Sequence, residues 1–208
     1  MTPPESHTKT RDADATREAI LDAASALLRE RGFAGASVSA IADAAGVTKS
    51  LVHHHFGTKE ALYVAVKRRK FEGYWAQQRE MLMAASRGDL ELLRRSMHLY
   101  FHYLMENEDL LELWNWMHAE CRSEMDPRGL ELTALGIQRV REAQEAGEIR
   151  ADVSPAVVMA AFRILNEFWF NVRPGFQVLQ EGRSVAQLND DYLEGIMKIF
   201  FEGIIPHG

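Results

Sequence analysis

The sequence predicts an all-α protein with a small N-terminal domain followed by a larger helical domain. Apolar residues recur at intervals of three and four over most of the 208 residues, which is the period of an amphipathic helix. Serine, threonine, aspartate and proline stand where these patterns begin, and glycine stands where several of them end. We find no strand-like alternation of apolar and polar residues, and we find no internal repeat.

The first predicted helix begins at Thr16, a candidate N-cap, and runs to about Arg31. Gly32 ends it, because glycine readily leaves the helical conformation. Residues 1–15 contain two prolines and mixed charges without a period, which predicts a flexible N-terminal arm. The apolar stripe of the helix consists of Ile20, Ala23, Ala24, Leu27 and Leu28.

Residues 37–56 predict two short helices joined by a tight turn. Ser37 is a candidate N-cap for the first of them, about residues 38–45. Gly46 follows, where the chain leaves the helix through a left-handed conformation, and Thr48 stands at the N-cap of the second helix. Small residues beside a turn of three or four residues are typical of a helix-turn-helix motif.

The second of these helices, about residues 49–55, has one inward and one outward face at 100° per residue. Val52 and Phe56 point inward. Small hydroxyl, imidazole and lysine side chains on the outward face are suited to base edges and phosphates in a DNA major groove. The outward residues are Ser50, His53 and His54, with Lys49 and Leu51 at the edges.

A resemblance to the DNA-binding domain of TetR-family transcriptional regulators covers Thr16–Val66, which reads TREAILDAASALLRERGFAGASVSAIADAAGVTKSLVHHHFGTKEALYVAV. Glu30–Phe33, the small-residue turn and the run His54–Leu62 carry it. The resemblance implies a sequence-specific regulator, typically a repressor, that binds a palindromic operator in double-stranded DNA as a homodimer. The chain departs from the family pattern at His53, where tyrosine is usual, and at Ser50-Leu51, where Gly-Thr is frequent.

The same resemblance implies contacts to the DNA backbone. In the family the start of the first motif helix lies near the DNA, so Ser37 and Ser39 are expected to donate to phosphates. The lysine that matches Lys59 commonly meets a phosphate in relatives, and we add the hydroxyl of Thr48. The residues expected to face the bases are Lys49, Ser50, His53 and His54, and Leu51 completes the predicted DNA-binding set.

The distribution of charge agrees with a DNA-binding N-terminal region. The net charge is −6, but residues 1–70 contain 11 Lys+Arg and 8 Asp+Glu, and residues 71–208 contain 13 and 22. The two parts therefore carry +3 and −9. The basic part is the one that contains the helix-turn-helix motif.

The composition favours a cytoplasmic protein. One cysteine, Cys121, excludes an intrachain disulfide framework. The chain has no apolar run of 18 residues, and its first 15 residues are polar, so we expect neither a membrane span nor a signal peptide. No motif points to a cofactor.

The remaining residues, 67–208, predict a helical ligand-binding and dimerisation domain. The helix that begins near Lys59 continues to about Ala85. Pro174 and Gly175 are expected to end the penultimate helix. After the Lys59 helix, further helices are predicted over about 89–106, 109–125, 128–146, 155–170 and 186–203.

The last two predicted helices are apolar over more than one face. A helix of that kind must be buried on more than one side. One side can meet the helices of its own chain, and the other is expected to meet a second copy in a four-helix bundle, which is also what the resemblance implies. A larger monomeric core is the alternative interpretation.

The middle helices are the candidates for a ligand cavity, because they combine aromatic residues and methionines with a few polar side chains. Small-molecule sites are usually built in this way. We therefore expect an apolar or aromatic small-molecule inducer. The candidate ligand-binding residues are His102, Tyr103, Trp114, Met117, His118, Phe162, Asn166 and Trp169.

Three alternatives remain at this point. His98 and His102, four residues apart, could bind one metal ion with His118 and Cys121, which would make a metal-responsive regulator. A DNA-binding adaptor would recruit a protein without a small ligand. An enzyme is the third, but we find no Gly-rich phosphate loop, no GxSxG and no HExxH. The sequence favours a ligand-responsive transcriptional regulator that is not an enzyme.

Overall fold

The computed structural model describes residues 6–111, 115, 126–180 and 182–205, with side chains from residue 12 onward. Within these ranges every element is a helix, which confirms the all-α prediction. The helices are α1 (Ser6–Gly35), α2 (Val38–Ala44), α3 (Lys49–Phe56), α4 (Lys59–Ala84), α5 (Leu90–Glu106), α6 (Pro127–Glu145), α7 (Pro155–Leu179) and α8 (Val185–Ile204).

Helix α1 begins ten residues before the predicted start at Thr16, so the prediction of a flexible arm over residues 1–15 is wrong for residues 6–15. Residues 6–15 contain neither glycine nor proline, and nothing in them terminates a helix. Thr16 lies inside the helix, where its hydroxyl donates to the carbonyl of Asp12 at 2.7 Å instead of capping. The helical backbone is interrupted at Gly32, whose φ is 64°, and this is the residue at which the sequence predicted the end of the helix.

The described residues divide into two compact units. The first contains residues 6–71 together with residue 115, and the second contains residues 72–111 and those from 126 onward. In the first unit, α1, α2, α3 and the start of α4 enclose a single apolar core. Its most buried members are Ile20, Leu21, Ala24, Leu28, Ile41, Ala42, Val52, Leu62, Tyr63 and Val66.

The second unit is built around α7, which packs against α5, α6 and α8. Aromatic rings fill its centre: Trp169 and Tyr192 stack with ring centroids 4.0 Å apart, and Phe101 meets Phe170 at 5.2 Å. Trp169 also donates from Nε1 to Asn189 Oδ1 at 2.9 Å. These contacts fasten α7 to α5 and α8.

Helix α7 does not end before Pro174, as the sequence predicted, but continues through it to Leu179. Proline removes one helical hydrogen bond, which is tolerated when the surrounding turn is held from outside. Arg173 supplies that support: its guanidinium bonds both carboxylate oxygens of Glu108, at 2.9 and 2.6 Å, and Asn189 Oδ1 at 3.2 Å.

Most of the helix predicted over about residues 109–125 lies outside the described residues. Among the helices that the structure describes, none is long and apolar enough to cross a membrane.

Candidate nucleic-acid interface and effector region

The turn between α2 and α3 is built from the capping residues that the sequence predicted. Ser37 Oγ accepts a hydrogen bond from the Ala40 amide at 3.2 Å, and Thr48 Oγ1 accepts one from the Leu51 amide at 3.3 Å. Gly46 has φ 66°, the left-handed conformation that a side chain would disfavour. Residues 37–56 therefore form a helix-turn-helix.

Helix α3 has the two predicted faces. Val52 is 2% exposed and belongs to the core, and Phe56 is half-buried beneath the guanidinium of Arg17, 5.3 Å from its ring centroid. Leu51 is half-buried at the edge. The residues that are exposed on the opposite face are Lys49, Ser50, His53 and His54.

Two side chains of the exposed face are already held in place by intramolecular hydrogen bonds. The hydroxyls of Ser50 and Thr48 lie 2.9 Å apart. His53 Nδ1 lies 2.8 Å from the carbonyl oxygen of Gly57, and since a carbonyl can only accept, Nδ1 carries the proton and donates. Such bonds restrict the rotamers of Ser50 and His53 before any DNA arrives.

Ser37, Ser39 and Thr48 are exposed at the starts of α2 and α3. The oxygens of Ser37 and Thr48 accept the capping bonds, and a hydroxyl that accepts can still donate its own hydrogen. These positions suit the phosphate contacts that the family resemblance implies.

The ammonium group of Lys59 is not free at the surface, because it contacts Phe33. Its Nζ donates to the carbonyl of Phe33 at 2.8 Å and lies 4.2 Å from the centroid of the Phe33 ring. Burial lowers the pKa of this ammonium, although the nearby carboxylate of Glu60 raises it. Lys59 thus ties the start of α4 to the end of α1.

A second set of contacts between α1 and α4 was not found from the sequence. Arg69 of α4 pairs with Glu18 at 3.0 Å and Asp22 at 2.8 Å, both on α1, and donates to Ser25 Oγ at 3.3 Å. Glu18 and Asp22 are four residues apart on α1, and this spacing was the sequence signal that could have predicted a shared basic partner. Arg69 therefore joins α4 to α1 within the first unit.

In the second unit, a partly buried polar network crosses from α5 to α7. The Glu167 carboxylate accepts from the Tyr100 hydroxyl at 2.5 Å and from Arg163 Nε at 3.0 Å. Burial raises the pKa of Tyr100 well above its ordinary value, and the Glu167 carboxylate raises it further. The ring of Tyr74 lies 5.1 Å from that of Tyr100. Sequence reasoning missed this network, although Arg163 and Glu167 have i,i+4 spacing.

Comparison with known proteins identifies the family. Residues 20–66 match the family model described as bacterial regulatory proteins, tetR family. The HTH-type transcriptional regulator UidR of Escherichia coli K12 is 27% identical over 148 residues, which cover 70% of this chain and 75% of UidR. The chain therefore carries a DNA-binding domain of the TetR family. It is accordingly a DNA-binding transcriptional regulator.

Two further comparisons are with a named repressor and with a solved structure. The HTH-type transcriptional repressor KstR2 of Rhodococcus jostii is 35% identical over 95 residues, which cover 45% of this chain and 46% of KstR2. The crystal structure of AibR in complex with isovaleryl coenzyme A and operator DNA superimposes with a TM-score of 0.64 and 20% identity, covering 89% of this chain and 98% of that one. The second likeness concerns the fold alone.

The ligand residues predicted for this TetR-family protein are only partly brought together. Phe162, Asn166 and Trp169 are buried on one face of α7. Tyr103 is half-buried on α5, but His102 is exposed and its Nδ1 donates to the carbonyl of His98 at 2.8 Å. Trp114, Met117 and His118 lie outside the described residues.

Asn166 is the most unusual of the predicted ligand residues. It is 0% exposed, and its Nδ2 donates to the Phe162 carbonyl at 2.7 Å, which fixes the orientation of the amide. Its Oδ1 has no hydrogen-bond partner within the described part of the chain. A buried carbonyl oxygen without a donor costs about 1–3 kcal/mol, so this atom is suited to receive a donor from a ligand or a water.

The metal hypothesis receives no support from the residues that the structure describes. His98 and His102 are both exposed on α5, with ring centroids 6.0 Å apart. Over the described ranges, no group of three or more His, Cys, Asp or Glu side chains could hold a metal ion. His118 and Cys121 fall in the stretch that the structure does not describe.

An apolar stripe is exposed along α7. Val157, Ile164 and Phe168 are 57%, 60% and 58% exposed, and their spacing of seven and four residues puts them on one side of the helix. Ile199 of α8 is 71% exposed. Large apolar side chains that line up on a surface indicate an interaction surface.

Proposed function

We propose that this TetR-family regulator is a homodimeric, cytoplasmic repressor that binds a palindromic operator and is released from it by a small apolar or aromatic molecule. The observation that carries the proposal is the exposed face of α3, where Lys49, Ser50, His53 and His54 stand opposite the buried Val52. The KstR2 relative is itself named a repressor.

The contacts divide into two kinds. Lys49, Ser50, His53 and His54 read base edges in the major groove, and Leu51 packs at the rim of that surface. The phosphate contacts come from Ser37, Ser39, Thr48 and Lys59, the last of which would reach a phosphate with a hydrogen that Phe33 does not accept. Because phosphate contacts carry no sequence information, they act on all DNA alike.

The dimer is proposed to form through α7 and α8. The stripe of Val157, Ile164 and Phe168, together with Ile199, supports this, because a twofold axis would bury the stripe against its own copy. Two recognition helices would then meet successive major grooves about 34–36 Å apart.

The inducer is proposed to bind within the second unit, next to Asn166 and the network of Tyr100, Arg163 and Glu167. The Oδ1 of Asn166, which has no hydrogen-bond partner among the described residues, supports this location, and the structurally similar AibR was crystallised with isovaleryl coenzyme A. An inducer that prefers the state with misplaced recognition helices weakens DNA binding, with a coupling of about 1–3 kcal/mol, and by reciprocity DNA weakens inducer binding equally.

The test is binding of the purified protein to the DNA that flanks its own gene, against scrambled DNA of equal length, at two salt concentrations. The proposal expects tight binding to the flanking DNA that weakens as salt rises, with two subunits per site. The same assay then detects inducers, because an inducer releases the labelled DNA. Equal binding to flanking, scrambled and genome-wide DNA, also after refolding to remove bound ligand, would contradict it.

A further inference from the structure

The recognition helix α3 carries most of its basic groups as imidazoles. Three of the eight histidines of the chain, His53, His54 and His55, lie in this eight-residue helix. Lys49 is its only other basic residue, and the segment contains no acidic residue. Imidazole is the side chain whose charge changes near neutral pH, whereas lysine stays charged there. Most of the positive charge that α3 can offer to DNA therefore depends on protons.

The hydrogen bond of His53 decides what this side chain can present to DNA. Nδ1 donates to Gly57 O at 2.8 Å, so in the neutral ring Nε2 is unprotonated and can only accept. In the imidazolium, Nε2 becomes a donor while the bond from Nδ1 stays in place. The ring is exposed on the same face as Lys49, Ser50 and His54.

We propose that His53 is a proton-gated DNA contact, which makes operator binding tighten as pH falls. The major-groove atoms of guanine, N7 and O6, only accept hydrogen bonds, as phosphate oxygens do, so the neutral ring offers them a repelling lone pair. The imidazolium offers a charge-assisted hydrogen bond instead. This inference rests on the proposed operator binding and adds that one proton per recognition helix is taken up with the DNA.

His53 shares its helix with other basic groups. Within α3, His54 and His55 can carry the same charge, with their ring centroids 5.6 Å apart, and Lys49 lies one turn earlier. The carbonyl ends of α3 lie beside His53 and carry partial negative charge, which stabilises a cation there. The charged residues of the neighbouring elements include Arg17 of α1, Asp43 of α2, and Lys59 and Glu60 of α4.

Protonation also changes the partner that His53 can choose. Neutral Nε2 can accept from the amino group of adenine or cytosine, which a phosphate cannot supply. The imidazolium can donate to a phosphate or to the acceptors of guanine. The affinity for an operator and the base preferred at this contact therefore both depend on pH. We propose that the operator presents an acceptor to His53, so that acidification raises occupancy.

The operator for the test is first selected from random DNA with the wild-type protein. The affinity of the full-length protein for this operator is then measured at pH 6 and at pH 8, at constant ionic strength. We expect affinity at pH 6 to be about tenfold higher. His53→Gln, which is neutral at both pH values, should lose most of this ratio, and His53→Lys, which is charged at both, should bind tightly at both. His98→Gln, a surface histidine of α5, is the matched control and should keep the wild-type ratio.

The outcomes separate this inference from the function on which it rests. Circular dichroism confirms that each variant is folded at both pH values. A wild-type protein that discriminates its operator equally well at both pH values overturns the proton gate but leaves the regulator intact. A His53→Gln variant with the wild-type ratio also overturns it. Failure to discriminate the operator at either pH contradicts the proposed function itself.

Discussion

At the scale of single residues, the two lysines near the recognition helix have different surroundings. Lys49 is exposed at the start of α3, whereas the Lys59 ammonium is bonded to the Phe33 carbonyl and lies over its ring. Lys49 is therefore expected to act on DNA alone. Lys59 is expected also to stabilise the protein, because its removal takes away the hydrogen bond that it donates to the Phe33 carbonyl.

We therefore predict that Lys59→Ala weakens DNA binding and also lowers the free energy of unfolding by about 1–2 kcal/mol. Lys49→Ala, the matched control, should weaken binding and leave the stability unchanged. Lys59→Ala should also reduce the salt dependence, by a slope of about one per subunit. Denaturant unfolding and binding at several salt concentrations measure these effects, and unchanged stability of Lys59→Ala would contradict the structural role.

His54 is assigned to base edges, so its removal should act on specificity. His54→Ala is expected to weaken binding to the operator by about 1–3 kcal/mol and to leave binding to random DNA almost unchanged. Competition between labelled operator and unlabelled random DNA measures the ratio. An equal loss on both kinds of DNA would show that His54 contacts the backbone.

At the scale of elements, buried polar groups join α1, α4 and the α1–α2 connection. Tyr63 of α4 is fully buried and donates from its hydroxyl to the Ala36 carbonyl at 3.3 Å. Burial raises its pKa to about 12. Since the neutral phenol is favoured in the folded state, this stabilisation is complete below the ordinary tyrosine pKa, about 10, and is lost as pH rises towards 12.

Tyr63→Phe is predicted to lower stability by about 1 kcal/mol at pH 8, through the lost hydrogen bond, and to lose less stability than the wild type between pH 10 and 12. The other tyrosines whose pKa is raised are present in both proteins, so the difference reports Tyr63. Thermal unfolding followed by circular dichroism across this range measures it. Parallel pH curves for the two proteins would refute the assignment.

Elements whose signals are local could be predicted from the sequence, and elements held by distant contacts could not. Gly46 and Thr48 mark the ends of α2 and α3 within a few residues of chain, so both helices were found. The continuation of α7 through Pro174 depends on Glu108 and Asn189, which are distant in sequence from Arg173. The attachment of Lys59 to Phe33, 26 residues away, is of the same kind.

At the scale of the whole molecule, the proposed mechanism requires a dimer that holds two recognition helices at one spacing. A single α3 offers few contacts, and twofold symmetry doubles them while selecting palindromic sites. In the proposed dimer, an inducer would need only to change the spacing or tilt of the two recognition helices. The exposed apolar stripe on α7 is the feature of this chain from which we propose the dimer interface.

Phe168→Glu is predicted to convert the dimer to folded monomers and to reduce operator binding at least tenfold, because a charge would be buried at the twofold interface. Leu130→Glu replaces an apolar residue of α6 that is also exposed, at 51%, but lies off the stripe. It should leave the dimer unchanged. Sedimentation equilibrium decides between these outcomes, and a dimeric Phe168→Glu would place the interface elsewhere.

The central claim is that α3 reads a palindrome as one of a symmetric pair. The most direct measurement is a footprint of the purified protein on a high-affinity site recovered from genomic DNA, with the number of bound subunits determined on the same fragment. The account predicts two symmetric protected half-sites about one helical turn apart, with at least two subunits, and loss of protection in a variant lacking His53 and His54 side chains. Protection without symmetry, or protection that survives the removal of those two side chains, would contradict it.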